Sequence, residues 1–211
     1  MHRVSALLAI AIQGRFGADK GEPGVTLSVI HPLAIAMVIA RKGKSKALKD
    51  ALGLLSSSTV IPAKAGTQLS DSRSAKKLDS RLRGNDGMMV LWAGPDQYYV
   101  QSTTKSESAL YAELKSKLKN IASVTDQSHG RVTIRISGLK SRAVLAKGTP
   151  IDLHDDEFQL GKSALTQMAH VGVHLTRTDK DEFTLSVFRG FSESFWEWLT
   201  SQAAEFGYQV S

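Results

Sequence analysis

The sequence predicts an α+β protein with helices packed on antiparallel sheets, and three observations carry that reading. Val25 to Ala40 (VTLSVIHPLAIAMVIA) is dense in β-branched and aliphatic residues, the composition of buried strand. Arg131 to Ile136 (RVTIRI) alternates with period two, which turns Val132, Ile134 and Ile136 to one face of a half-buried strand. Ser192 to Phe206 repeats instead near the helical period, with Phe195, Trp198, Leu199, Gln202 and Phe206 near one face.

Taken in order, Val25 to Ala40 reads as one or two strands around His31-Pro32. Lys44 to Leu54 follows as a helix, with Ala47, Leu48, Ala51 and Leu55 at helical spacing. Met89 to Ala93 and Tyr98 to Gln101 form a hairpin across the turn Gly94-Pro95-Asp96. Ser106 to Lys119 is a helix with Leu110, Leu114 and Leu118 on its buried face and Lys115, Lys117 and Lys119 solvated. After Arg131–Ile136, Gly138 opens a short helix, Leu139 to Lys147, that Gly148 closes as a C-terminal cap. Ser163 to Thr176 and Glu182 to Phe188 are antiparallel strands joined at Thr178-Asp179-Lys180-Asp181. This order implies helices on antiparallel sheets, as one domain over 25–211 or as subdomains 25–136 and 137–211 after an arm at 1–24. Two ferredoxin-like β-α-β-β-α-β units are the alternative arrangement.

At 211 residues, 42% apolar and 22% charged, the chain has ordinary globular composition and enough length for a real core. No run approaches the roughly 18 apolar residues that span a bilayer. Zero cysteines exclude disulfides, thiolate metal sites and a cysteine nucleophile, which suits the cytoplasm. Met1-His2-Arg3 followed by Ala6 to Ile12 imitates a short signal peptide, but a single Arg precedes the run and no A-x-A site follows it. The expectation is a short helix or arm lying on a partner.

Residues 56–88 break the pattern. Hydrophobic periodicity disappears, and Ser, Lys, Arg, Gly and Asp dominate. The two ends are related through the genetic code. Thr59 to Gly66 (TVIPAKAG) is encodable as ACC GTC ATT CCC GCG AAG GCG GGA. The reverse complement, TCC CGC CTT CGC GGG AAT GAC GGT, translates as SRLRGNDG, which is Ser80 to Gly87. Gln68 and Leu78 pair the same way (CAG and CTG), while Thr67 and Asp79 do not. The gene therefore carries an inverted repeat read in frame, and the segment resembles peptides made when mobile palindromic elements land in bacterial reading frames. An insert of this kind is expected to be mobile and to occupy a surface loop, since closure entropy grows slowly with loop length. It holds six basic and three acidic residues, so +3 of the chain's net +7 resides there and the remainder is an unremarkable +4. A nucleic-acid-binding reading loses much of its support with that charge.

Candidate chemistry is sparse. Gly161-Lys162-Ser163 ends like a phosphate-binding loop, yet Asp156 stands where the first glycine belongs, and no G-x-G-x-x-G exists. His170 and His174 mimic an i,i+4 zinc pair, but in a strand four steps of about 3.3 Å hold them about 13 Å apart. Asp152, His154, Asp155, Asp156 and Glu157 form an acidic cluster with one imidazole, a composition that also suits a solvated turn. Asp126, Ser128 and His129 supply triad chemistry, but nearly adjacent in sequence, whereas triad members converge from separate elements. Phe191, Phe195, Trp196, Trp198 and Phe206 exceed what one helix face buries, and the surplus predicts a protein–protein contact.

Val90 to Val100 (VLWAGPDQYYV) resembles the W-x-G-P-D hairpin of the gamma subunits of bacterial heterotetrameric sarcosine oxidase. Ile136 to His154 (ISGLKSRAVLAKGTPIDLH) is similar to that family's most distinctive stretch, and Ser5-Ala6-Leu7 and Gly14 to Ala18 resemble its N-terminal arm. The likeness covers nearly the whole chain except residues 56–88. Asp126 to Leu153 also resembles, more distantly, the folate-binding fold of the glycine-cleavage T protein, an aminomethyltransferase, without a folate site that transfers residue by residue. The resemblance implies an assembly with alpha, beta and delta subunits that demethylates sarcosine to glycine, forms hydrogen peroxide and passes a one-carbon unit to tetrahydrofolate. FAD, FMN and NAD are implied for alpha and beta, and zinc for delta. This chain is then a bracing subunit, with no catalytic, cofactor-binding or metal residue expected in it. A free-standing folate-dependent aminomethyltransferase-like domain is the alternative.

Overall fold

The computed structural model describes residues 4–18, 21–55 and 87–211. Of the expected insert, only Gly87 and Met88 fall among these residues, so its expected mobility concerns positions outside them. In chain order the elements begin with β1 (Gly14–Phe16), β2 (Val25–Ile30), β3 (Ala34–Ala40) and helix α1 (Ser45–Leu55). Next come β4 (Met88–Gly94), β5 (Gln97–Ser102), α2 (Glu107–Lys117), β6 (Ala122–Asp126), β7 (Arg131–Ser137) and α3 (Ser141–Ala146). The chain continues with β8 (Ser163–Met168), β9 (Val171–Asp179), β10 (Glu182–Phe188), a 3-10 turn at Arg189–Phe191, α4 (Ser192–Ala204) and β11 (Tyr208–Val210).

These elements form two compact units. One comprises Leu33–Ser128 with Gly161–Ala164; the other comprises Met1–Pro32, His129–Leu160 and Leu165–Ser211. The predicted strand pair around His31-Pro32 is real, with that peptide bond cis, and its two strands belong to different sheets.

The first unit holds a four-stranded antiparallel sheet of order β4-β5-β3-β6. Its core joins Ala36 and Val38 of β3 and Val100 of β5 to Leu48 and Leu52 of α1 and Leu110, Leu114 and Leu118 from α2 onward. The predicted apolar face of α2 is therefore the buried one. Ser106 starts that helix because its hydroxyl accepts the Ala109 N–H at 3.2 Å. Met88, assigned by composition to the insert, opens β4 and is 2% exposed in this core. The predicted Gly94-Pro95-Asp96 turn joins β4 to β5. Asp96 adopts φ 58, its carbonyl accepts the Ala40 N–H, and its Oδ2 accepts the Ser45 hydroxyl at 2.7 Å.

The second unit holds a seven-stranded sheet of order β1-β11-β2-β7-β10-β9-β8. β11 runs parallel to β2, while β1–β11, β2–β7, β7–β10 and β10–β9 are antiparallel. Val132, Ile134 and Ile136 are buried as predicted, on the face shared with Phe183, Leu185 and Val187 of β10. Helix α4 packs on β10 and β11, and α3 packs on α4.

Four details depart from expectation. Ser163–Thr176 is two strands, because Ala169 (φ 51) and His170 (φ 64) make a two-residue left-handed turn. Such turns favour Asn-Gly, so Ala-His gives no turn signal in the sequence. Gly148 is not a left-handed cap; a Cβ there would lie 2.3 Å from Trp198 Cζ2, so the glycine is required by space. On α4 it is Trp196, not Trp198, that is buried, at 4% exposed, while Trp198 is half-buried against Phe195 at 5.6 Å. Finally, β1, β6 and β11 are additional strands. Residues 14–16 of the expected arm pair with β11, and Phe16 stacks on Tyr208 at 5.3 Å.

Candidate functional site

The distinctive stretch 136–154 is a packing hub of the seven-stranded unit. Gly138 (φ 117) lies so close to the start of β2 that a Cβ would meet Gly24 O at 2.6 Å. Ser141 Oγ donates to the Asp181 carbonyl at 3.1 Å. Lys147 Nζ donates to Gln202 O at 3.0 Å and Glu205 Oε2 at 2.6 Å, above the Phe206 ring. Arg142 donates to the carbonyls of Leu153 and Lys180. What the pattern of this stretch encodes is close backbone approach and tie points.

Arg142 shares its work with Arg177. Arg177 donates to the carbonyls of Phe158 (2.8 Å), Lys180 (3.0 Å) and Asp179 (3.2 Å). The Asp155 carboxylate bridges both guanidiniums, at 2.5 Å from Arg142 Nη2 and 3.0 Å from Arg177 Nη2. Burial, and after it the neighbouring Arg142 charge, pull the Arg177 guanidinium below its usual pKa, with Asp155 and Asp181 opposing. The acidic cluster thus resolves into separate structural parts. Asp155 is the counterion of two arginines, and Asp152 Oδ1 caps the His154 N–H at 2.8 Å.

The other candidates do not converge. Ser128 Oγ accepts the Ile35 N–H at 2.9 Å and donates to Ile35 O at 3.2 Å, while Asp126 Oδ1 accepts the Ser128 N–H. Both side chains therefore serve the chain's own backbone. Ser163 opens strand β8, so no helix N-terminus follows Gly161-Lys162 to receive a phosphate. His170 sits in the β8–β9 turn and is exposed, whereas His174 lies 1% exposed within β9. No group of three His, Asp or Glu suited to a metal ion occurs among the described residues. No helix among them is long and apolar enough to cross a membrane.

One feature escaped the sequence reading. The second face of β7 was expected to be solvated, yet Arg131 and Thr133 are only 6% and 3% exposed. Register places Thr133 opposite Ser186, and Ser186 opposite His174, so β7, β10 and β9 share a buried polar row. The Thr133 and Ser186 hydroxyls make no hydrogen bond among the described residues. The available signal was the residue type: Thr133, Thr176, Thr184 and Ser186 are small hydroxylic residues, where a solvated strand face favours Lys and Glu. At one end of this face a groove of about 510 Å³ opens between Arg131, His174, Phe188, Leu165 and the Pro150–Ile151 segment. Arg131 lies over the Phe188 ring at 4.3 Å and donates to Ser186 O at 3.3 Å.

An α+β chain of this construction is shared with aminomethyltransferase T of the glycine cleavage system from Bartonella henselae. That structure superposes with a TM-score of 0.56 at 16% identity over 86% of this chain and 49% of that one, a likeness of fold alone. Residues 80–205 match the family described as "Sarcosine oxidase, gamma subunit family", and the chain belongs to that family. It is 31% identical over 121 residues to sarcosine oxidase subunit gamma of Corynebacterium sp. strain U-96, and 31% over 122 residues to that of an Arthrobacter species. Each alignment takes in 57% of this chain and spans only 58% and 59% of those relatives, respectively. A chain of the solved heterotetrameric sarcosine oxidase from Corynebacterium sp. U-96, in complex with pyrrole 2-carboxylate, superposes with a TM-score of 0.74 at 27% identity. That superposition covers 97% of this chain and 96% of the other.

Proposed function

We propose that this chain is a non-catalytic gamma subunit of a heterotetrameric sarcosine oxidase, bracing alpha, beta and delta partners in the cytoplasm. The assembly would demethylate sarcosine to glycine, reduce oxygen to hydrogen peroxide and hand the one-carbon unit to tetrahydrofolate. FAD, FMN and NAD would be held by alpha and beta, and zinc by delta. The observation that carries this reading is the superposition on a chain of a heterotetrameric sarcosine oxidase over 97% of this chain. The internal chemistry supports it where it can be traced: Ser128 is committed to the Ile35 backbone and Asp155 to two arginines. The test is co-expression with the adjacent reading frames. The expected result is co-purification with yellow flavoprotein that turns over sarcosine. An active oxidase that forms without this chain, while the chain stays monomeric, overturns the reading.

A further inference from the structure

We propose that the outer edge of β8 takes an extended segment of a partner subunit as an eighth strand of the seven-stranded sheet, with an apolar side chain of that segment set beside Leu165. The inference rests on the subunit reading and adds to it a place and a mode of attachment. β8 is the last strand in the sheet order, so its outer side faces no strand among the described residues. No backbone group of Leu165–Met168 is bonded to a turn or loop among those residues either. Thr166 meets the 149–151 segment through its hydroxyl, 2.9 Å from that of Thr149, and not through its backbone. What remains is a row of N–H and C=O groups, the template on which an extended chain adds.

Sequence and exposure single out this edge. Natural edge strands are blunted by charge, proline or brevity. SALTQM has none of these: it is six residues long, uncharged and free of proline. At the other end of the same sheet, β1 is three residues long and carries Arg15. In the four-stranded sheet, β6 ends on Asp126. Its other edge, β4, is uncharged but holds none of the large apolar side chains that stand exposed among the described residues. β8 holds one: Leu165 is 53% exposed, and Phe188, 48% exposed, lines the same groove. An added strand would lay a side chain across these two, and cross-strand pairing favours an apolar one. The area selects the occupant. All six residues of β8 span about 20 Å, and with a sheet thickness of about 10 Å they offer about 200 Å². A stable dimer needs about 800 Å² per partner, so two copies meeting strand to strand would not hold. A partner subunit that the assembly holds by other contacts can dock a segment on an edge of that size.

The test uses the co-expressed complex and the full-length free chain. The outward-facing amides of Leu165–Met168 should exchange with deuterium at least tenfold more slowly in the complex than in the free chain. The double variant Leu165→Lys/Gln167→Lys changes two exposed side chains, lines the edge with charge and should cut co-purification with the flavoprotein at least tenfold. Leu165→Thr keeps the strand propensity but loses the apolar contact, and its loss should be several-fold smaller. Leu139→Lys is the control: Leu139 is 86% exposed and lies outside every strand, and its variant should assemble as wild type. Circular dichroism melting of each full-length variant should match wild type. Unchanged exchange at Leu165–Met168 in a complex that does form, or wild-type assembly of the double variant, overturns strand addition and leaves the subunit reading standing. Wild-type assembly of Leu165→Thr overturns the apolar neighbour. A wild-type chain that never co-purifies overturns the subunit reading, and the docked segment with it. Slow exchange already present in the free chain, quickening on dilution, assigns the edge to a second copy and overturns a partner segment.

Discussion

In the four-stranded unit, the core is mainly aliphatic: Leu48 and Leu52 from one helix, Leu110 and Leu114 from the other, Val38 and Val100 from the strands, with Tyr98 beside them. In the seven-stranded unit, the strands that bury Val132, Ile134 and Ile136 on one face also bury Arg131 and Thr133 on the other. The first arrangement is what a stable small unit needs and no more. The second buries the Thr133 and Ser186 hydroxyls, which find no partner among the described residues, and such groups cost stability. The four-stranded unit buries polar side chains too, but Ser102 and Ser128 there are hydrogen-bonded.

The comparison breaks most visibly at the aliphatic core. Leu114→Ala should destabilise the four-stranded unit by about 2–5 kcal/mol, read by urea unfolding, because Leu114 is 0% exposed and its removal leaves a cavity. A loss below about 1 kcal/mol would mean the core is looser than its burial implies. In the other unit, Asp155→Ala removes the carboxylate shared by Arg142 and Arg177. The expected loss is about 1–2 kcal/mol, held below the cost of breaking a fully buried pair because the Asp155 side chain is 56% exposed. Thr133→Val has the opposite sign. Replacing an unsatisfied buried hydroxyl by a methyl should stabilise the free chain by about 1 kcal/mol, and a loss instead would show that the hydroxyl is bonded after all.

The smallest effect is electrostatic. Lys105 and Lys117 hydrogen-bond Glu113 at 2.5 Å and 2.8 Å and hold its carboxyl below the usual glutamate value, with burial opposing. A depressed folded-state pKa means the contribution is present above the unfolded glutamate pKa and is lost as pH falls through the lower folded value. Comparing wild type with Glu113→Gln at pH 7 and pH 3 should show a difference of a few tenths of a kcal/mol at neutrality that vanishes in acid.

Elements that carry their own signal were legible in the sequence. RVTIRI alternates over a whole strand, the leucines of α2 recur at helical spacing, and Gly94-Pro95-Asp96 is a turn by composition. Elements that exist through pairing were not. β1 and β11 are three residues each and owe their conformation to one another and to β2. The β8–β9 turn holds Ala169 and His170 at positive φ, a region alanine rarely visits, so tertiary context overrides local preference there. Gly148 was recognised as special for the wrong reason, since a clash with an indole fifty positions on leaves no local trace. The groove was invisible for a related cause: Arg131, His174 and Leu165 come together only through strand order.

That strand order also sets how long a loop the β2–β7 pairing has to close. β2 and β7 are neighbours in the seven-stranded sheet, although about 100 residues separate them in the chain. Nearly all of those residues are the four-stranded unit, whose first and last residues are tied together: the Ile35 N–H donates to Ser128 Oγ and the Gln127 N–H to Ile35 O. Once that unit has folded, β2 and β7 leave it side by side, and the long loop their pairing would have had to close is already closed. Residues 56–86 fall in sequence between α1 and β4, within the stretch whose ends Ile35 and Ser128 tie together.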